Sequence, residues 1–114
     1  MITMIINDSP YGNERPYNAL RLARTLVNQG EADLRIFLIG DAVVCGLAGQ
    51  TTPRGYYNIE RMLKGAQRAT ISLCSTCMDA RGIEDEDLIE GVKRGSTPPP
   101  LGEWVAASDK VLVF

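Results

Sequence analysis

Thr70-Ile-Ser-Leu-Cys-Ser-Thr-Cys-Met-Asp-Ala-Arg-Gly82 is the stretch from which the fold can be read. The short apolar run from Thr70 to Leu73 or Cys74 reads as a strand. Ser75 and Thr76 are good helix initiators, and Ala80-Arg-Gly82 ends the helical turn they begin. The run thus predicts a strand that passes straight into a helical turn. It also carries a C-x-x-C pair, Cys74 and Cys77. In an α/β chain of cytosolic type this spacing reads first as thiol chemistry.

Working outward, the same alternation recurs. Upstream, Thr3 to Asn7 reads as a first strand, followed by a turn-rich loop, Asp8-Ser-Pro-Tyr-Gly-Asn13. A helix begins near Glu14 to Pro16 and stops at Gly30. Its expected apolar stripe is Ala19, Leu22, Ala23, Leu26 and Val27. Leu34 to Ile39 is a second strand, nearly unbroken in apolar character, as suits a parallel strand covered on both faces. Asp41 can cap a helix over Ala42 to Leu47, and a long loop runs from Gly49 to Tyr57. Asn58 can cap a helix through Ile59, Met62, Leu63 and Ala66.

Downstream, Asp85 can cap a short acidic helix, and Val92 to Gly95 reads as a brief strand. Ser96-Thr-Pro-Pro-Pro100 is a stiff linker, unsuited to helix interior or central strand. Leu101, Trp104, Val105 and Ser108 share a face of a last helix, and Val111 to Phe114 is a final strand. The order predicts an α/β fold: a three-layer α/β/α sandwich around a mostly parallel sheet of about five strands.

Composition narrows the function classes. The chain has 114 residues, 45% of them hydrophobic, which suits one domain over 1–114 with one core. The net charge is −2, and no basic patch argues for nucleic acid. The apolar start, Met1 to Ile6, is cut short by Asn7 and Asp8, so no signal peptide is expected. No run reaches the ~20 apolar residues of a membrane span. The expected compartment is the cytoplasm, where thiols stay reduced. Histidine is absent, which removes Cys–His dyads, Ser–His triads and every His-containing zinc site.

In open α/β sheets the functional crevice lies beyond the carboxyl ends of the strands. Three segments reach that edge here: Asp8 to Gly12, Gly40-Asp41, and Cys74 to Cys77. They are expected to converge. Cys74, at a strand end and a helix start, would sit near free backbone N–H groups that favour thiolate. Arg81 and Arg54 can add positive charge. A thiolate in a shallow, exposed site can accept sulfur or exchange with a disulfide.

Other readings of these residues stay open. Cys74 can be a small buried hydrophobe. Cys74 and Cys77 can be two ligands of a zinc site completed by Cys45 and a carboxylate, or shared between subunits. A thioredoxin-like site fits less well, since the motif follows the third strand and lacks an aromatic before its first Cys. Cys45, inside Val43-Val-Cys-Gly-Leu47, reads as packing, Asp41 as a cap and Glu84-Asp-Glu-Asp87 as a solvated helix start. No G-x-G-x-x-G or P-loop supports a nucleotide site, and no cofactor is implied.

Several segments together resemble a known family. Pro10-Tyr-Gly12, Leu20-Arg-Leu-Ala23, Phe37-Leu-Ile-Gly-Asp-Ala-Val43, Gly55 to Asn58 with Met62-Leu63, Cys74-x-x-Cys-x-Asp-x-Arg-Gly82 and Ala107-Ser-Asp-Lys-Val-Leu112 are similar to the DsrE/DsrF-like family, most of all to its small YchN-type members. The resemblance runs in order over nearly the whole chain. It implies a sulfur relay, in which a cysteine takes sulfane sulfur as a persulfide and passes it to a partner protein. The family's sulfur-accepting cysteine lies seven residues before the Arg-Gly pair, which here is Cys74 before Arg81-Gly82. Cys77 belongs to the YchN-type pattern, whereas Cys45 and the Pro98-Pro-Pro100 run match none of it. Members usually assemble as hexamers.

The expectation is a cytoplasmic, homo-oligomeric sulfurtransferase-like carrier, a hexamer, with donor and acceptor proteins as partners. Its site is Cys74 and Cys77, lined by Pro10, Tyr11, Gly12, Asp41 and Arg81. The alternatives are a redox dithiol using Cys74 and Cys77, and a non-catalytic binding module.

Overall fold

The computed structural model describes residues 1–31 and 33–114. Five strands form one sheet: β1 (Ile2–Ile6), β2 (Leu34–Leu38), β3 (Thr70–Cys74), β4 (Lys93–Gly95) and β5 (Lys110–Val113). Their order is β4-β3-β2-β1-β5, and every neighbouring pair is parallel. The helices are α1 (Arg15–Asn28), α2 (Ile59–Lys64), α3 (Ser75–Asp79) and α4 (Leu101–Ala107). The expected α/β architecture with about five strands is the observed one.

The chain steps from β1 to β4 in one direction, then returns past them to lay β5 on the far side of β1. Right-handed crossovers put elements that step in opposite directions on opposite faces of a sheet. The side chains agree. Ile6, Ile36 and Leu38 are fully buried on one face, with α1, α2 and the 3-10 segment Gly40–Gly46 beside them. Alternation along the strands turns Thr3, Arg35, Phe37 and Ser72 to the other face. There Phe37 meets Trp104 of α4 edge-on at 6.2 Å, and Arg35 lies 5.5 Å from the centre of the same indole. Thr3, completely buried, shares a 2.7 Å hydrogen bond with Ser108 at the end of α4.

Three local expectations are corrected by packing. In α1 the buried stripe is Pro16, Ala19, Leu20, Ala23 and Val27. Leu22, expected inside, is 37% exposed, because Leu20 lies one turn from Pro16 and takes its place on the sheet side. The segment after β2 is a 3-10 helix, and Asp41 makes no capping bond in it. The acidic segment is a 3-10 turn, Asp85–Asp87, capped by Glu84 through a reciprocal box with Asp87. Asn58 does cap α2, its side chain accepting the Arg61 N–H at 3.1 Å.

Two glycines carry geometric burdens. Gly95 of β4 pairs with Cys74 across the ladder. A Cβ there would collide with Ser72 Oγ and sit 2.8 Å from Pro100 Cδ, so the loop that leads into α4 closes on the end of β3 only over glycine. Gly82 ends the helical turn at φ +66°, a left-handed conformation in which a side chain is strained. The N–H of Ile83 then returns to the Met78 carbonyl at 3.0 Å, which finishes the turn after Cys77.

Candidate active site

Cys74 is the last residue of β3 and the N-cap of α3. Its Sγ accepts the Cys77 backbone N–H at 3.3 Å, as a capping oxygen does in other helices. Thr76 Oγ1 lies 3.3 Å away and can donate to the same sulfur. Cys77, one turn on, is half-buried, and its Sγ accepts the backbone N–H of Gly40 at 3.2 Å. The ends of β2 and β3 therefore meet at the second sulfur, while a cap built from the first turn of α3 holds the first.

These contacts divide the two thiols. Burial pushes the Cys74 thiol up, but hydrogen bonds from the Cys77 thiol, the Thr76 hydroxyl and the Cys77 and Thr76 amides outweigh it, and Cys74 is held below the ordinary thiol value. Cys77 moves the other way. Burial and the bond it gives to Cys74 raise it, against the opposing pull of the Gly40 amide. The pair is poised with its first negative charge on Cys74 and its proton on Cys77. The donors are individual N–H and O–H groups, so the effect does not need the summed dipole of a helix only five residues long.

Burial differs from the shallow, exposed site that the sequence suggested. Cys74 is 3% exposed. Gly95 lies beside it in the ladder, and it is Cys77 that stands nearer to solvent. Arg81 and Asp41 border Cys77. Arg81 Nη2 reaches Asp41 Oδ1 at 2.6 Å, and Nη1 donates to the Cys77 carbonyl at 2.9 Å. Asp41 thus serves as the partner that fixes Arg81.

The loop after β1 takes a different course. Pro10 is buried and Gly12 exposed. The Tyr11 N–H donates to Tyr57 Oη at 2.7 Å, and its hydroxyl donates to Gln50 Oε1 and accepts the Ile59 N–H. Tyr11, Tyr17, Tyr56 and Tyr57 form one aromatic group. Among the described residues, no hydrogen bond joins Pro10 to Gly12 with either cysteine of the pair. Of the segments expected to converge, two meet at the sulfurs, and the first turns toward the loop before α2. Arg54 lies in that loop, bordering a cleft with Tyr56 and Arg61.

Cys45 is wholly buried in the 3-10 segment, with its thiol 3.8 Å from the Asp8 carbonyl. Burial pushes it up to about 12. Among the described residues, no three His, Cys, Asp or Glu side chains are grouped to hold a metal ion. No helix of the described residues is long and apolar enough to cross a membrane.

Sequence reading missed Gly40 and Thr76 as donors to the two sulfurs. Thr76 had a usable signal, since a hydroxyl two residues past an N-cap cysteine is within reach of it. Gly40 had a coarse one, its place at the carboxyl edge of β2, but its bond to the Cys77 sulfur depends on how β2 ends beside α3.

Comparison with known proteins places the chain in a family. The chain is 47% identical over 116 residues to Protein YchN of Escherichia coli K12, covering 99% of this chain and 97% of that one. The crystal structure of the ychN protein from E. coli superposes with a TM-score of 0.92 at 46% identity, covering 99% of this chain and 97% of that one. A more distant relative is the Sulfurtransferase TusD homolog of Vibrio parahaemolyticus, 27% identical over 104 residues, with 89% of this chain and 78% of that protein covered. Residues 1–114 match the DsrE/DsrF-like family along their whole length, and the chain belongs to that family.

Proposed function

We propose that this chain is a sulfur-relay protein in which Cys74 carries sulfane sulfur as a persulfide. The observation that carries the reading is the set of donors on the Cys74 sulfur, which favour thiolate at a position protected from bulk water. The Cys74 thiolate attacks the outer sulfur of a donor persulfide R–S–SH. The S–S bond of the donor breaks, Cys74–S–SH forms and R–S⁻ leaves with the R–S bond intact. An acceptor thiolate then attacks the outer sulfur of Cys74–S–SH and regenerates the Cys74 thiolate. Neither step requires an external oxidant or reductant.

In this reading the donor and acceptor are proteins, and residues 1–114 act as one domain in the cytoplasm. Copies associate into a homo-oligomer, a hexamer as in the family. Exposed Val111 and Val113 on edge strand β5 are consistent with association. Light scattering at micromolar concentration checks this, and a monomer would contradict it.

The test of the relay is intact mass after incubation with a sulfane-sulfur donor. The parent gains one sulfur that a reductant removes, and Cys74→Ser gains none. Equal loading of Cys74→Ser would overturn the assignment.

A second reading has an observation in its favour: the Cys77 amide and thiol both bond to Cys74. A partner disulfide can exchange with the pair, giving a Cys74–Cys77 disulfide and two partner thiols. Mild oxidation followed by peptide mass mapping decides it, and absence of the bridge removes this reading.

A further inference from the structure

Helix α3 has five residues. A helix that short does not persist alone, because fixing its first turn costs more than its few hydrogen bonds return. Yet its placement matters for the thiol pair, because the amide it offers to Cys74 comes from its third residue, Cys77. Something outside the helix must hold it.

The group that does so is Arg94, in β4. Its Nη1 donates to the Ser75 carbonyl at 3.3 Å and to Ser75 Oγ at 2.9 Å, both at the first residue of α3. The same nitrogen reaches Asp79 Oδ1, at the last residue, at 3.0 Å. Nη2 donates to the Ile83 carbonyl at 3.1 Å, just past the Arg81-Gly82 turn, and Nε donates to the Asp85 carboxylate. The β3–β4 register pairs Leu73 with Arg94 and Cys74 with Gly95, so this guanidinium rises from backbone beside the sulfur-bearing residue. The Arg94 side chain is 25% exposed. A planar fork with five N–H groups can serve four separate residues in this way, and an ammonium cannot.

We propose that Arg94 is a positioning residue for Cys74, holding α3 at both ends so that the Cys77 amide stays on the Cys74 sulfur. The proposal rests on Cys74 being the reactive sulfur, and it extends that reading to a residue that bonds to neither cysteine.

The charged and titratable groups around the pair are few. Cys77 stands on α3. Arg81 follows α3 and is paired to Asp41 of the 3-10 segment. Asp79 and Asp85 are both paired to Arg94. Losing Arg94 would have two effects on Cys74. The amide would drift from the sulfur, and two carboxylates would lose their counter-charge. Both disfavour the thiolate, so the test must separate them.

The experiment is site-resolved alkylation of the full chain with iodoacetamide across pH, read by peptide mass spectrometry, alongside thermal unfolding. Arg94→Gln removes fork and charge. Arg94→Lys keeps the charge and loses the fork. Asp79→Asn removes one anchor and one negative charge, so charge alone would lower the Cys74 midpoint, whereas loosening the helix would raise it. Positioning predicts that all three raise the midpoint, the two arginine variants by about half a unit or more, with alkylation at neutral pH roughly threefold slower.

The proposal is overturned if Arg94→Lys keeps the parent midpoint, if Asp79→Asn lowers it, or if melting temperatures fall while midpoints stay. Arg94→Lys and Asp79→Asn decide the matter should Arg94→Gln fail to fold. The parent curve separates the two readings. A parent midpoint at or above the ordinary thiol value removes Cys74 as the activated sulfur. A low parent midpoint that the variants leave unchanged removes only the role of Arg94.

Discussion

Cys45 and Cys74 both have almost no exposed surface, at 0% and 3%, yet Cys45 lies deeper and the two are opposite in chemistry. The Cys45 sulfur has a carbonyl near it, which can accept a proton's bond but cannot stabilise a negative charge. Its thiol is pushed up to about 12. The Cys74 sulfur has the Cys77 amide, the Thr76 hydroxyl and the Cys77 thiol, all of them donors. Removal from water opposes ionisation at both sites. Two things separate them: Cys45 lies deeper, where desolvation dominates and only its own amide opposes it, while Cys74 gathers several donors that outweigh its burial. Exposed surface alone is therefore a poor guide to whether a cysteine is inert.

The largest expected difference between the two is in reactivity. In the native protein at pH 8, iodoacetamide should modify Cys74 while leaving Cys45 unmodified until the chain unfolds. Comparable native rates at both sites would break the comparison.

Next in size is the pH dependence of stability. Cys45 ionises less readily folded than unfolded, so its contribution is complete below the unfolded value near ~8.5 and is lost as pH rises toward the folded value. With the folded value about 12, that contribution is on the order of a few kcal/mol. Cys45→Ala should flatten the alkaline limb of a stability–pH curve relative to the parent, and two limbs of equal slope would contradict this. For Cys74 the sign reverses. Its folded value is the lower one, so the contribution is present above the unfolded value and fades as pH falls through the folded one.

Gly95→Ala should destabilise by about 1–3 kcal/mol, because the added methyl meets Ser72 and Pro100. It should also perturb Cys74, its ladder partner, more than Cys45. Denaturant unfolding gives the first quantity and native alkylation the second. A change confined to Cys45 would contradict the packing described. The smallest effect is expected from Thr76→Val, which removes one donor of several. It should raise the Cys74 midpoint by a few tenths of a unit, roughly the share of one weak hydrogen bond, and leave Cys45 unmoved. A lower midpoint in that variant would show that the hydroxyl accepts from the sulfur instead.

The difference between the two cysteines was partly legible in the sequence. Ser75 and Thr76 after an apolar run announced the strand-to-helix junction, and with it the amides around Cys74. Val43-Val-Cys-Gly-Leu47 announced a packed Cys45. Local patterns also placed the strands to within a residue or so, and for β1, β2 and β3 the reason is that they are short, mostly apolar runs between turn residues. The unread features depend on partners distant in the chain. Asp41 looked like a cap because it follows a strand, and nothing local points to Arg81, forty positions on. Leu20 and Leu22 are alike as residues, and only the sheet beneath α1 chooses between them. Arg94 lies in a short strand with no motif, and its role emerges once β4 is laid beside β3. The burial of Cys74 has the same origin, since Gly95 comes beside it only when β4 is laid against β3.

The central claim is that donors, acting against burial, keep Cys74 ionised more readily than an ordinary thiol. The most direct measurement is the ultraviolet thiolate absorbance of the parent minus that of Cys74→Ser, followed through a pH titration of the folded protein. The account predicts that this difference titrates below the reference value of ~8.5, with the remaining thiols ionising above it. A difference that titrates at or above that reference would contradict it.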